Sequence, residues 1–254
     1  MAYYLAHQNT FKTGEEIFGA DLAKLSFRYN KKCRFWYRII DSTVLQLVGL
    51  GRFQGGTYEL NYACAPLYVR FSQAGIEDKS GRVPYIPEEF ASAILTNMQT
   101  LGLLARDALP RIGGSMWDSP DDTKRHMRMS FEIAILPVLK GAIDVPGCYE
   151  AYLRRKKLAS EAMLQVGGYG HWHNWVRATC QLEVKCLLDM KRYDEASKII
   201  RIDTEARIEN GGLPAFDKYI PLAENRDEAA IRELLNRDYE ESVQILQNTG
   251  FILD

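Results

Sequence analysis

Three stretches of this 254-residue chain carry side chains whose types and spacing can do chemistry. The first lies within Phe27 to Arg70, the densest mixture of basic and aromatic residues in the sequence. Strand side chains alternate, so Arg34, Trp36 and Arg38 fall on one face of an extended segment, supported by Lys31, Lys32, Gln46 and Asn61. Cations alternating with a ring on an open sheet suit single-stranded nucleic acid: charge for phosphates, an aromatic for base stacking. The competing reading is a sheet face in solvent, or one covered by C-terminal helices with Trp36 filling the gap. The aromatic-glycine signature of RNA-binding sheets is absent, which favours that plainer reading.

The second stretch is His171-Trp-His-Asn-Trp175, which follows Gly167-Gly-Tyr-Gly170. His171 and His173 are the metal candidates, or one of them is a general base. A metal needs a third and usually a fourth ligand, and no neighbouring carboxylate or cysteine motif supplies one. The alternative makes Trp172 and Trp175 the anchors of a helix and the histidines polar bystanders. The third stretch, Gly49-Leu-Gly-Arg-Phe-Gln-Gly-Gly56, has the wrong glycine spacing for a dinucleotide loop and leads into a strand instead of a helix. It reads as a hairpin turn. No Walker loop, G-x-S-x-G elbow, zinc-cysteine pair or H-E-x-x-H helix occurs. The sequence therefore assigns no catalytic residue and no cofactor, and leans away from an enzyme.

These side chains need elements to hold them. Cys33, Phe35, Tyr37 and Ile39 make the apolar face opposite Arg34/Trp36/Arg38, and Val44–Leu50 is apolar on both sides apart from Gln46. Tyr58, Leu60, Tyr62 and Cys64 form a third apolar parity, assigned here to the Phe35 face. With Asp41-Ser42 and Gly55-Gly56 as turns, this predicts an antiparallel meander, with a further edge strand around Leu67 to Phe71. A helix opens at the capping box Thr13-Gly-Glu-Glu16 and presents Phe18, Leu22 and Leu25 to one sheet face, leaving the other at least partly wet. Later helices are expected from Pro87, from Ser119-Pro-Asp-Asp122 to a kink or stop at Pro137, and from Pro146. Beyond about Ser160 only helical spacing remains. One helix there is capped by Asn225 with Glu228, and a last one ends at Gly250 with Phe251 folded back on it.

Composition sets the outer limits. With 46% hydrophobic and 26% charged residues the chain matches a soluble globular protein. No apolar run approaches the roughly 20 residues that span a bilayer, and no secretory leader is visible, so no membrane partner and a cytoplasmic location are expected. Cys33, Cys64, Cys148, Cys180 and Cys186 are odd in number and scattered, and read as buried free thiols. Net charge is −1, but residues 1–70 carry 9 Lys/Arg against 5 Asp/Glu, and residues 189–254 carry 9 against 15. The two ends of the chain thus present differently charged surfaces.

The order of these elements is similar to that of a known family. The quoted features are Leu25-Ser-Phe27, the basic turn Arg28 to Lys32, Phe35-Trp-Tyr-Arg38, Val44-Leu-Gln-Leu-Val48 and Tyr58-Glu-Leu-Asn-Tyr62. Trp117, Ile135-Leu-Pro-Val-Leu139 and Ala151-Tyr-Leu153 follow. Together they resemble the bacterial family catalogued as domain of unknown function 4304, over roughly Thr13 to Lys157. The resemblance implies a bacterial, cytoplasmic α+β domain and brings no activity or site residue. Farther on, Tyr193 and Ala196 in Met190-Lys-Arg-Tyr-Asp-Glu-Ala196 resemble the inter-helix turn of a tetratricopeptide repeat. Val184 stands where that repeat has a small residue, and no second copy recurs at a fixed period.

The expected architecture is α+β: a three- to four-stranded antiparallel sheet packed with helices over 1–157, then an all-helical segment, 158–254, on or beside it. The expected function is a non-catalytic protein-binding or regulatory module with an unidentified protein partner. Nucleic-acid binding through Arg34, Trp36, Arg38, Gln46 and Asn61 is the alternative, and a hydrolase or metal enzyme built on His171 and His173 the third reading.

Overall fold

The structure, a computed structural model, describes residues 10–31, 35–52, 58–69, 120–165, 181–209, 211, 213–214 and 216–253. Arg34, His171, His173 and the expected helix from Pro87 lie outside the described residues. The chain is α+β. Among the described residues the four strands are β1 (Arg28–Asn30), β2 (Phe35–Ile40), β3 (Val44–Arg52) and β4 (Tyr58–Pro66), antiparallel and in sequence order across the sheet. The β2–β3 turn places Asp41 and Ser42 at positive φ, and Thr43 N–H donates to the Ile40 carbonyl at 2.9 Å. Short polar side chains tolerate that conformation better than most. Gly49 and Gly51 belong to β3 and not to a turn, and β3 meets β4 as a hairpin through Arg52↔Tyr58. The fourth strand comes from the N-terminal side: the segment read as a basic turn supplies β1, while Leu67–Val69 turn away, with Val69 N–H donating to the Pro66 carbonyl at 3.0 Å.

Helices cover both faces of the sheet. The pairing register puts Trp36, Val48 and Tyr62 in one row and Arg38, Gln46 and Cys64 in the next. Tyr62 and Cys64 therefore share the Trp36 face, not the Phe35 face to which their parity was assigned. Against them pack Ile17, Phe18, Leu22, Phe131, Ile135 and Leu139. The first helix, α1, runs as Thr10–Gly14, a π-wound Glu15–Gly19 and Ala20–Lys24. Thr13 is 2% exposed inside α1, so the capping box does not start it. Next comes α2: Pro120–Ser130, a π-wound Phe131–Ile135 and Leu136–Gly141. Pro137 neither stops nor breaks α2. The wider winding just before it takes up the missing N–H and the bulk of the ring. The two π segments meet through Phe18 and Phe131, stacked 5.2 Å apart. Arg128 serves this junction, donating to the Ile17 carbonyl at 2.6 Å and pairing with Asp21 and Glu132.

On the Phe35/Tyr37 face, β2–β4 contribute Leu45, Leu47, Ala63 and Ala65 to the second core. Among the described residues four longer α-helices and one short one pack against it: α3 (Val145–Gln165), α4 (Gln181–Asp189), α5 (Tyr193–Glu209), α6 (Ile220–Glu224) and α7 (Glu228–Asn248). Unbroken, α3 passes through residues 157 and 158, where the sequence places a domain boundary, and sends Cys148 to one core and Tyr149 to the other. The helices expected around Ile231 and around Val243 are one, α7. Its N-cap is Asp227, whose Oδ1 accepts from Ala230 N–H at 3.1 Å; Asn225 instead closes α6. Tyr193 and Ala196 are buried at the α4–α5 turn, so the helical hairpin itself forms as read.

The far end of α7 closes as expected. Gly250 takes φ +84°, its N–H donates to the Gln247 carbonyl at 3.0 Å, and Phe251 N–H reaches the Leu246 carbonyl at 3.0 Å. Phe251 then packs edge-on against Tyr37 with centroids 4.7 Å apart. A Cβ at Gly250 would meet nothing nearer than Asn30 Nδ2 at 4.0 Å, so Gly250→Ala isolates the backbone conformation. We expect it to cost about 1–2 kcal/mol, read from urea unfolding. An unchanged midpoint would mean the turn relaxes freely.

Candidate functional site

Of the residues with the strongest chemistry in sequence, Trp36 and Gln46 are enclosed and Arg38 is partly buried. Trp36 is 4% exposed among Phe11, Phe18 and Tyr29, with ring centroids at 5.6, 5.0 and 4.6 Å. Gln46 is fully buried. Its Nε2 donates to the carbonyls of Leu139 (2.9 Å) and Ala142 (2.7 Å), while its Oε1 accepts from Arg38 Nε at 2.8 Å. Arg38 also donates to the Leu139 carbonyl at 2.7 Å and the Leu25 carbonyl at 3.2 Å. Helices end with carbonyls that have no partner of their own. Arg38 and Gln46 supply partners for the ends of α2 and α1, so their polarity is spent on anchoring helices to the sheet. Asn61 pairs with Gly49, out of step with the Arg38–Gln46–Cys64 row. No base can stack on Trp36 while α1 and α2 stay in place.

The thiols follow the same logic. Cys64, Cys148 and Cys186 are buried thiols. Burial pushes the Cys64 thiol up to about 12, with the nearby Arg38 charge opposing it; burial raises Cys148 too, reinforced by its neighbouring thiols. Iodoacetamide at pH 8 should therefore leave both unlabelled until the protein is denatured. In the unfolded chain a thiol ionises near 8.5, so above that pH the unfolded state sheds protons that the folded state keeps, and stability falls as pH climbs from about 9 toward 12. Urea midpoints that stay flat over that range would contradict this.

A cleft of about 160 Å³ lies between the α4–α5 turn and the first half of α7. Tyr68, just after β4, lines it together with Tyr193 and Tyr239 and with the buried Leu188, Ile231 and Leu235. Its charged rim holds two acids and two bases. Lys191 and Glu228 pair at 2.7 Å, Asp189 accepts the Tyr68 hydroxyl at 3.0 Å, and Arg232 extends into solvent. Burial first, then Cys186 and Asp189, hold the Tyr68 hydroxyl far above its ordinary pKa, so it stays a donor.

Behind this cleft lies the most buried polar cluster. Lys185 is wholly buried, and its ammonium donates to Tyr68 O, Gln181 Oε1 and Asp238 Oδ2, each at 2.7 Å. Three donors thus meet three acceptors. Ser242 Oγ reaches the Val69 carbonyl at 3.2 Å. The chain leaving β4 is held by α4 and α7 together, which fixes the Tyr68 wall. Nothing in the sequence marks these residues, because they come from three distant segments without a motif.

Among the described residues no group of three or more His, Cys, Asp or Glu could hold a metal ion, and no helix is long and apolar enough to cross a membrane. Comparison with protein-family models, with curated proteins and with solved structures finds no match for this chain.

Proposed function

We propose that the chain is a non-catalytic protein-binding or regulatory module, working through its helical hairpins. The observation that carries this reading is the cleft at the α4–α5 turn. At about 160 Å³ it is small beside the roughly 300–1,000 Å³ of sites for cofactors and drug-sized ligands, and matches one anchoring side chain of a partner. Tyrosine walls supply contact area at little entropic cost, and the buried Lys185–Asp238 cluster holds one wall in place before a partner arrives. The resemblances to the domain of unknown function 4304 family and to a tetratricopeptide turn belong to the same proposal and agree with it: a bacterial, cytoplasmic protein whose helical hairpin contacts other proteins. Of the residues on which the nucleic-acid reading rested, Trp36 and Gln46 are enclosed, which supports the protein-binding reading over it.

The test is affinity capture from a bacterial lysate with three baits: the full chain, its Tyr239→Ala variant and its Lys24→Glu variant, altered on α1 away from the cleft. A partner retained by the first and third baits and lost from the second is the expected result. Equal capture by all three would overturn the assignment to the cleft.

A further inference from the structure

We infer that the cleft receives a basic side chain, arginine or lysine, projecting from a partner protein. This rests on the protein-binding reading above and adds the chemistry of what is bound. Of the four charges on the rim, Lys191 and Glu228 neutralise one another. Asp189 and Arg232 have no ion-pair partner among the described residues. The two differ in how firmly they are placed. Asp189 is short, is held by the Tyr68 hydroxyl through one oxygen, and ends α4, where the helix dipole already favours a cation. Arg232 is a long exposed side chain on α7 that can swing clear of an incoming group.

The walls favour the same sign. Tyr68 and Tyr239 are half-buried, and tyrosine ring faces attract guanidinium and ammonium groups. Outside the cleft the same helical layer uses such contacts, with Arg192 over Tyr149 at 5.1 Å and Lys218 over Tyr219 at 5.1 Å. Residues 189–254, which form most of the rim, carry 9 Lys/Arg against 15 Asp/Glu, a surplus of acid that draws basic segments toward it. The aliphatic floor of Leu188, Ile231 and Leu235 suits the methylene stem that such side chains bury.

Selection of a random peptide-display library on the full chain, with Asp189→Asn and Tyr239→Ala as counter-targets, tests this. Arginine- or lysine-anchored peptides should be enriched and then bind Asp189→Asn about fivefold more weakly by fluorescence anisotropy, the loss expected for one exposed ion pair. Replacing the basic residue with citrulline or glutamine should do the same. Matching circular-dichroism melts would show that the variants fold. Enrichment of acidic or purely apolar peptides that still need Tyr239, or that lose binding on Arg232→Ala, would overturn the basic-anchor inference and leave the protein-binding reading standing. No enrichment that depends on the cleft would overturn both.

Discussion

Replacing Lys185 with alanine should destabilise the protein by about 3–5 kcal/mol, a large share of the roughly 5–15 kcal/mol that a domain has. The reason lies in what is left behind. Asp238, 1% exposed, would lose the ammonium at 2.7 Å, and Tyr68 O and Gln181 Oε1 would each lose a donor. A buried group without a partner loses its hydration and gains nothing in return. The ion pair itself is a different matter, because taking two charges out of water roughly cancels their attraction. The double variant Lys185→Met/Asp238→Leu should therefore recover the part of the loss that falls on Asp238, while the Tyr68 carbonyl and Gln181 Oε1 remain one donor short. Urea unfolding of the three proteins, wild type included, reads this directly as shifts in midpoint at constant slope. A single variant within about 0.5 kcal/mol of wild type would mean that the pair is solvated and the Tyr68 wall is not held as described.

Trp36→Ala should cost about 3–5 kcal/mol, the range for emptying a packed aromatic site. Phe18 meets the indole edge-on at 5.0 Å, and Gly14 approaches so closely that a Cβ there would lie 2.3 Å from Trp36 Cη2. Gly14→Ala should likewise destabilise, since the ring has Phe11, Phe18 and Tyr29 around it and no free space to shift into. The experiment also separates two accounts of this residue. A solvent-facing stacking platform would lose nucleic-acid binding on Trp36→Ala with stability changed by less than about 0.5 kcal/mol. An enclosed core tryptophan loses stability first.

How far the sequence could be read depended on whether a feature was local. Alternation of Phe35, Trp36, Tyr37 and Arg38 gives β2, Asp41-Ser42 gives its turn, and Gly250-Phe251 gives the end of α7, since each signal lies within a few residues. Register is not local. Whether Tyr62 joins Phe35 or Trp36 depends on how the residues between β3 and β4 count out, and a shift of one reverses every side chain. Val44–Leu50 is apolar on both sides, yet the half-polar strands beside it were read as leaving one face at least partly wet, where the structure covers both. Arg38 and Gln46 misled for a similar reason: a polar side chain looks the same in sequence whether it meets water or the Leu139 carbonyl some hundred residues away. Thr13-Gly-Glu-Glu16 fits a capping box, yet Thr13 sits inside α1 because Phe11 also has a place to pack, against Tyr29. The cleft left no trace, for its walls meet only once β4, α4 and α7 are assembled.

The seam between the sheet edge and the end of α7 has a consequence for the order of assembly during synthesis. Asn30 Nδ2 donates to the Thr249 carbonyl across 219 positions, and Ile252 N–H donates to the Tyr37 hydroxyl across 215. The layer formed by α1 and α2 draws on residues 10 to 151 and can close as soon as they have left the ribosome. The Tyr37 side must wait for Phe251, several seconds more at roughly 5–20 residues per second. Through that interval Tyr37, Leu45 and Leu47 form an apolar sheet face that α3, α4 and α7 cover only in turn as each is made. That is the stage at which aggregation threatens most and a chaperone would matter, and a stall between residues 151 and 251 should yield a half-covered, aggregation-prone intermediate.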